Sequence, residues 1–309
     1  MTYKEAIDKL KSGELSPYNF YNVDINPSQY YASLHYQTHK NDTIDHPQIL
    51  KKAFFDIEVF TNHSGITIKE MIDKAECPIN AITYYCSSTN TYDLFALPPM
   101  KFNLTTDELR DYCLKESRKK YEQEDGSSIS YLDEDQDLQV HFYDDPYELT
   151  IAFWTKLKKD NPEILSGFNS DGFDIPYMYN YLLHKFNNLD DVSNIMSNYG
   201  HVELRDGHDR AGRNRTEIKF IDYILMDQMT LYKPRDDGGM NLGKKLVSYS
   251  LKNVSKTELG ITKYDYQENQ YPNLDTFYEQ DAKDFFLYNI FDVALCVKLD
   301  QKLGMIDLY

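Results

Sequence analysis

Ala53-Phe54-Phe55-Asp56-Ile57-Glu58-Val59-Phe60 sets the reading of this chain. It is an apolar run with two acids embedded two residues apart, which predicts a β-strand with Asp56 and Glu58 on one face and Ile57 on the other. The flanking Phe54, Phe55, Val59 and Phe60 mark the strand as central rather than solvent-facing. Two acids on one face of a central strand repel unless a cation joins them, so metal ligation is the preferred reading of the pair. Working outward, Ala81-Ile82-Thr83-Tyr84-Tyr85 and Tyr92-Asp93-Leu94-Phe95-Ala96 predict two more strands in a meander. Leu138 to Tyr143 predicts another strand, and Ile164 to Phe168 a short buried one. Between them, Leu149, Phe153, Trp154 and Leu157 have helical spacing over Tyr147 to Lys159. Strands alternating with helices indicate an α/β sheet. Pro176 suits the first turn of a following helix, Ser250 to Gly260 reads as a capped helix, and Asp281 to Leu303 as a longer one ending at Gly304.

Two other segments carry acids with the same potential. Ser166-Gly167-Phe168-Asn169-Ser170-Asp171-Gly172-Phe173-Asp174-Ile175-Pro176-Tyr177 places Asp174 where a loop enters a helix. That position aims a carboxylate into a cleft or, equally, makes Asp174 an N-cap, and Asn169 is suited to shaping the turn. Tyr288 and Asp292, four apart, fall on one face of the C-terminal helix. Four carboxylates and a tyrosine together point to a two-metal nuclease. Divalent ions roughly 3.5–4 Å apart need several hard oxygen ligands on rigid elements from separate parts of the chain.

Composition sets the frame. With 309 residues, 41 % hydrophobic, 27 Tyr and 16 Phe, the chain has ample material for a large core and is not disordered throughout. Cysteines at 77, 86, 113 and 296 make no Cys-x-x-Cys pair, which argues against a thiolate zinc site and a disulfide framework and for a reducing, intracellular setting. The N-terminus has no apolar signal core and nowhere do ~18 apolar residues run together, so a soluble, cytoplasmic protein without membrane contact is expected. A formal charge of −17 excludes a broad basic surface for nucleic acid, so DNA contact must be local. One acidic run, 121–137, holds seven acids and no Lys or Arg and is expected to be a solvated loop. Residues 1–50 read as a small N-terminal lobe or packing arm ahead of a main domain over 51–309. Residues 203–219, with Arg205, Arg210, Arg213, Arg215 and Lys219 among two glycines, predict a β-hairpin with a basic tip.

From about residue 50 onward the chain resembles the proofreading 3′→5′ exonuclease domain of family B DNA polymerases, phage-like, in the DEDD superfamily. The resemblance rests on Phe55-Asp56-Ile57-Glu58, on Phe168-Asn169 through Phe173-Asp174-Ile175-Pro176-Tyr177, and on Tyr288-Asn289-Ile290-Phe291-Asp292-Val293. Phe220 through Asp227, and Tyr249-Ser250-Leu251 through Gly260, are similar to its connecting segments. Leu287 stands where the histidine variant of the superfamily has its histidine, so Tyr288 identifies the tyrosine variant. The resemblance implies a ribonuclease H-like mixed sheet flanked by helices and a cleft holding two Mg²⁺ or Mn²⁺ ions. It implies that Asp56 and Asp174 hold the ion that generates the nucleophile, that Glu58 and Asp292 complete the set with Asp56 bridging, and that Tyr288 orients the water. Asn169, Phe60 and Phe173 are implied to hold the terminal nucleotides of a frayed DNA 3′ end. Arg213 and Arg215 fall in a hairpin that in related phage polymerases helps move the primer strand between sites. No Tyr-x-Asp-Thr-Asp segment occurs, so polymerase activity is not expected here. An excised domain, or one chain of a split polymerase partnered by a polymerase-domain chain in the host cytoplasm of a virus, is the implied context. A stand-alone exonuclease for RNA or single-stranded DNA, and a catalytically silent docking module, are the alternatives; the filled set of acids argues against the second.

Overall fold

The computed structural model describes residues 50–123, 126–208, 214–266 and 271–308, with Ser12 besides. The N-terminal lobe expected over 1–50 thus lies, but for Ser12 and Leu50, outside the described residues. So do Glu124 and Asp125 of the acidic run, and Arg210 and Arg213 at the hairpin tip.

The alternating patterns become a mixed six-stranded sheet. In chain order it begins with β1 (Lys52–Val59), α1 (Ile68–Lys74), β2 (Ile79–Cys86) and β3 (Thr91–Ala96), whose three strands form the expected antiparallel meander. Next come α2 (Thr106–Ser117), β4 (Asp137–Phe142), α3 (Pro146–Asp160), β5 (Ile164–Gly167), α4 (Asp174–Phe186) and α5 (Leu189–Met196). β6 (Val202–His208) and β7 (Asn214–Phe220) pair as a separate antiparallel hairpin. They are followed by β8 (Ile224–Asp227), α6 (Gln228–Tyr232), α7 (Leu251–Leu259), α8 (Leu274–Gln280), α9 (Ala282–Leu303) and α10 (Met305–Leu308). The sheet order is β8-β5-β1-β2-β3-β4, with β4, β5 and β8 each parallel to the neighbour nearer the centre. Among the described residues no helix is long and apolar enough to cross a membrane.

Alternation along β1 divides the core. Ala53, Phe55, Ile57 and Val59 pack against Phe153, Trp154 and Leu157 of α3 and Tyr177, Tyr181 and Leu182 of α4. Phe54 points the other way, into a cluster with Leu109 and Cys113 of α2, Val254 of α7 and the apolar length of α9. By the same alternation Asp56 and Glu58 face α9, the helix that carries Tyr288 and Asp292. The helix ends agree with their capping residues: Ser250 caps α7 and Gly260 closes it, while Asp281 caps α9 and Gly304 ends it in the left-handed region.

The acidic run departs from its expectation as a solvated loop. Tyr121–Glu122 pairs with Ser128–Ile129, and Tyr131 and Leu132 are buried. The Tyr131 ring stacks on Phe291 of α9 with centroids 3.7 Å apart, and its hydroxyl donates to the Thr262 carbonyl. Asp133 accepts from Lys298 and Asp137 from Arg110. Charge count alone overlooked two apolar side chains whose burial docks the run onto α9. Tyr131→Ala is expected to destabilise the protein by about 3–5 kcal/mol, the usual cost of truncating a buried aromatic, and Tyr131→Phe by about 1 kcal/mol for its hydrogen bond. Urea unfolding checks both; a change within ~0.5 kcal/mol for Tyr131→Ala would restore the solvated loop.

Candidate active site

The cleft opens where the sheet stops pairing. β1 and β5 are joined only through the Phe54–Ser166 register, after which β5 ends at Gly167 and the chain turns away. A Cβ at Gly167 would lie 2.9 Å from the Phe55 carbonyl, so glycine permits this close approach. The Ile57 N–H, left without a strand partner there, donates instead to Asp174 Oδ1 at 3.1 Å. Asp174 is the first residue of α4, after Phe173 at the N-cap position, so it is not itself the N-cap.

Carboxylate oxygens of Asp56, Glu58 and Asp292 come within 4.8 Å of one another. A divalent ion with oxygen ligands at about 2.0–2.6 Å draws those ligands to about this separation. Asp174 is not in that trio but lines the same cleft, of about 460 Å³, with Asn169, Phe173 and Tyr288. Asn169 sits in the left-handed region (φ 66°) and its carbonyl accepts from Gly172 and Phe173, so it both shapes the turn and faces the cleft. Phe60 does not line it: the register shift between Glu58 and Val59 breaks the strand's alternation, and Phe60 packs on Tyr278 of α8 at 5.3 Å. Arg215 lies on β7 opposite Gly207, with its side chain outside the described part.

The electrostatics are those of acids crowded out of water. Burial pushes Asp56 well above the ordinary carboxylate range, with the charges of Asp174, Glu58 and Asp292 adding. Burial likewise pushes Glu58 up to about 8 and Asp174 to about 7, the latter against the opposing Ile57 N–H. Asp292 rises for the same reason, opposed by Lys263, whose Nζ lies 2.6 Å from Asp292 Oδ2. Burial would lower Lys263, but Asp292 first, then Glu58 and Asp56, hold it above its ordinary value. Asp292 Oδ1 is buried with no hydrogen-bond partner among the described residues. Three converging carboxylates, one of them with an unpartnered oxygen, fit a divalent cation such as Mg²⁺ or Mn²⁺.

Sequence reasoning missed several contributors. Lys263, whose ammonium also lies 4.5 Å over the Tyr288 ring, is a lone cation in Thr262-Lys263-Tyr264-Asp265 and carries no pattern. Asn289 donates to Asp56 Oδ2 at 2.9 Å; its one visible signal is a polar residue inside an apolar stretch of helix. Asp275 of α8 accepts from the Thr61 N–H, the Thr61 hydroxyl and the His63 N–H, clamping a turn in which Asn62 and His63 are both left-handed. Nothing local to Asp275 announces contacts more than 200 residues away.

Comparison with known proteins points to one family. The profile described as DNA polymerase family B, exonuclease domain, matches residues 11–254, which include Asp56, Glu58 and Asp174, while Tyr288 and Asp292 lie beyond it. The chain is 27 % identical over 264 residues to the DNA-directed DNA polymerase of Escherichia phage RB69, covering 85 % of this chain and 27 % of that protein. It is 26 % identical over 238 residues to the DNA-directed DNA polymerase of Enterobacteria phage T4, covering 76 % of this chain and 24 % of that protein. The DNA polymerase catalytic subunit of Psittacid herpesvirus 1 is 28 % identical over 158 residues, 51 % of this chain and 14 % of its own length. The chain thus spans about a quarter or less of these relatives.

The raised carboxyls set a pH dependence. An acid whose folded pKa exceeds its unfolded value stabilises the fold while protonated and loses that contribution as it ionises. Asp174, moved from 3.8 to about 7, and Glu58, from 4.5 to about 8, therefore destabilise the metal-free protein as pH rises from about 4 toward 8. In EDTA, the melting temperature is expected to fall over that window, and to do so less in the Glu58→Gln/Asp174→Asn double variant. A melting temperature that rises through the same window in EDTA would contradict the burial of these charges.

Proposed function

The chain belongs to the DNA polymerase family B exonuclease-domain family, and from that premise we propose that it is a divalent-metal-dependent 3′→5′ exonuclease acting on DNA. The reaction adds water across the terminal phosphodiester. The P–O3′ bond breaks, a deoxynucleoside 5′-monophosphate leaves, and the shortened strand keeps its 3′ hydroxyl. The observation that carries the reading is the convergence of Asp56, Glu58 and Asp292 within 4.8 Å, in a cleft also lined by Asp174 and Tyr288.

In this reading Asp56, Glu58 and Asp292 would hold one Mg²⁺ or Mn²⁺ ion, and Asp56 with Asp174 would hold a second. Bound there, such ions lower the pKa of water and neutralise charge on the phosphate. The residues of the chain do the rest. Burial, with the charges of Asp292, Glu58 and Asp56, raises the Tyr288 hydroxyl well above its ordinary pKa. It stays protonated and presents a donor that orients the attacking water. Lys263, held cationic beside Asp292, faces the same space and offsets negative charge brought in by the substrate. Asn169 hydrogen-bonds the terminal nucleotide, and Phe173 offers a face on which a base stacks. Ile68, Met71 and Leu274 give that part of the cleft an apolar wall. The net charge of −17 opposes broad contact with a duplex, which suits a site that takes only a frayed end delivered to it. The chain acts as the proofreading part of a DNA polymerase, whose remaining parts lie in flanking sequence or in a partner chain.

Digestion of a 5′-labelled single-stranded DNA oligonucleotide with Mg²⁺ or Mn²⁺ is expected to give a ladder shortening from the 3′ end. Asp56→Ala and Asp292→Ala should each lower the rate roughly 10³-fold or more, as losing several kcal/mol of charge stabilisation requires. An RNA oligonucleotide of the same sequence should be cut slowly. Faster cutting of RNA would reassign the substrate, and intact DNA with either metal would mark a silent docking module.

A further inference from the structure

Asn289 is fully buried on α9 beside Phe286, Ile290 and Phe291, which are themselves buried. An amide enclosed by such neighbours is costly unless its donors and its acceptor are engaged. Both ends are engaged here. Nδ2 donates to Asp56 Oδ2 at 2.9 Å, and Oδ1 accepts from the Thr83 hydroxyl at 2.6 Å. Thr83 is also fully buried and stands directly opposite Asp56 in the β1–β2 register. The chain of contacts therefore runs from β2 through α9 to β1 and has one sense. When Asp56 is ionised, as a ligand to a cation must be, its carboxylate only accepts, so the amide turns its NH₂ toward it. The carbonyl end then faces Thr83, whose hydroxyl has to donate. A carboxylate fixed through one oxygen presents the other to a cation in a single orientation, the way partners behind metal ligands set ligand geometry.

We propose that Asn289, locked by Thr83, is the positioning residue that orients the Asp56 carboxylate for divalent-ion binding. The inference rests on the metal-site reading of the proposed function, and its test separates the two. Mn²⁺ affinity is measured on the whole chain by the electron paramagnetic resonance signal of free Mn²⁺, without substrate, and folding of each variant is checked by melting in EDTA. Asn289→Leu keeps the volume and removes both polar ends. It should weaken Mn²⁺ binding by about 10- to 100-fold, the usual effect of losing a partner behind a ligand. Thr83→Val should weaken it in the same direction by less, while Thr83→Ser, which keeps the hydroxyl, should bind as the parent does. If Asn289→Leu does not fold, the Thr83 pair decides: Val weak with Ser unaffected supports the proposal, and equal affinities overturn it. Parent-like Mn²⁺ affinity in both Asn289→Leu and Thr83→Val also overturns it, provided Asp56→Asn and Asp292→Asn bind weakly. Parent-like affinity in those two Asp variants would remove the metal site itself, and the inference with it.

Discussion

Repulsion among buried carboxylates is the constraint on which the site depends. Asp56, Glu58, Asp174 and Asp292 are drawn into one cleft where burial raises all four, and Lys263 is the one cation among the described residues that line it. Left to themselves such groups would move apart or take up protons. They stay together because each is carried on an element fixed by other interactions. β1 is covered on both faces by apolar clusters. α9 is buried along most of its length, and Asp174 is tied to the Ile57 N–H that the end of β5 leaves free. The energy of the core thus holds an arrangement the acids alone oppose, and a divalent cation would convert that opposition into binding.

Much of this was legible in the sequence because its signals are local. The meander, α3, α7 and α9 follow from periods of two and of 3.6 and from capping residues such as Ser250, Asp281 and Gly304. Asp56 with Glu58, and Tyr288 with Asp292, were readable because spacings of two on a strand and four on a helix put side chains on one face. What escaped depends on contacts between distant segments. Lys263 reaches Asp292 from a loop without a pattern, and Asp275 clamps Thr61 across more than 200 residues of chain. Phe60, read as a substrate contact, stands outside the cleft lining, after a register shift at Glu58 that alternation alone does not reveal. The described acids of the acidic run stay exposed or half-buried, but the docking of Tyr131 and Leu132 against α9 is not visible in its charge count.

The same geometry links substrate preference to charge. A chain at −17 attracts a polyanion only where its own negative charge is countered, and the cleft is where Lys263 and bound ions would do so. Binding of a nucleic acid end and binding of metal are then coupled. In the proposed function the nearby wall of Phe173, Ile68 and Leu274 would take an unstacked base rather than read a sequence. Discrimination between a paired and a frayed end would then follow from the cost of unstacking and not from base-edge contacts.

The central claim is that the acid cluster is a two-ion site, and it is tested most directly by anomalous diffraction from crystals soaked in Mn²⁺, recorded above the manganese absorption edge. Two anomalous peaks are expected in the cleft, one ligated by Asp56, Glu58 and Asp292 and the other by Asp56 and Asp174. Peaks elsewhere on this acidic chain with none in the cleft would contradict it.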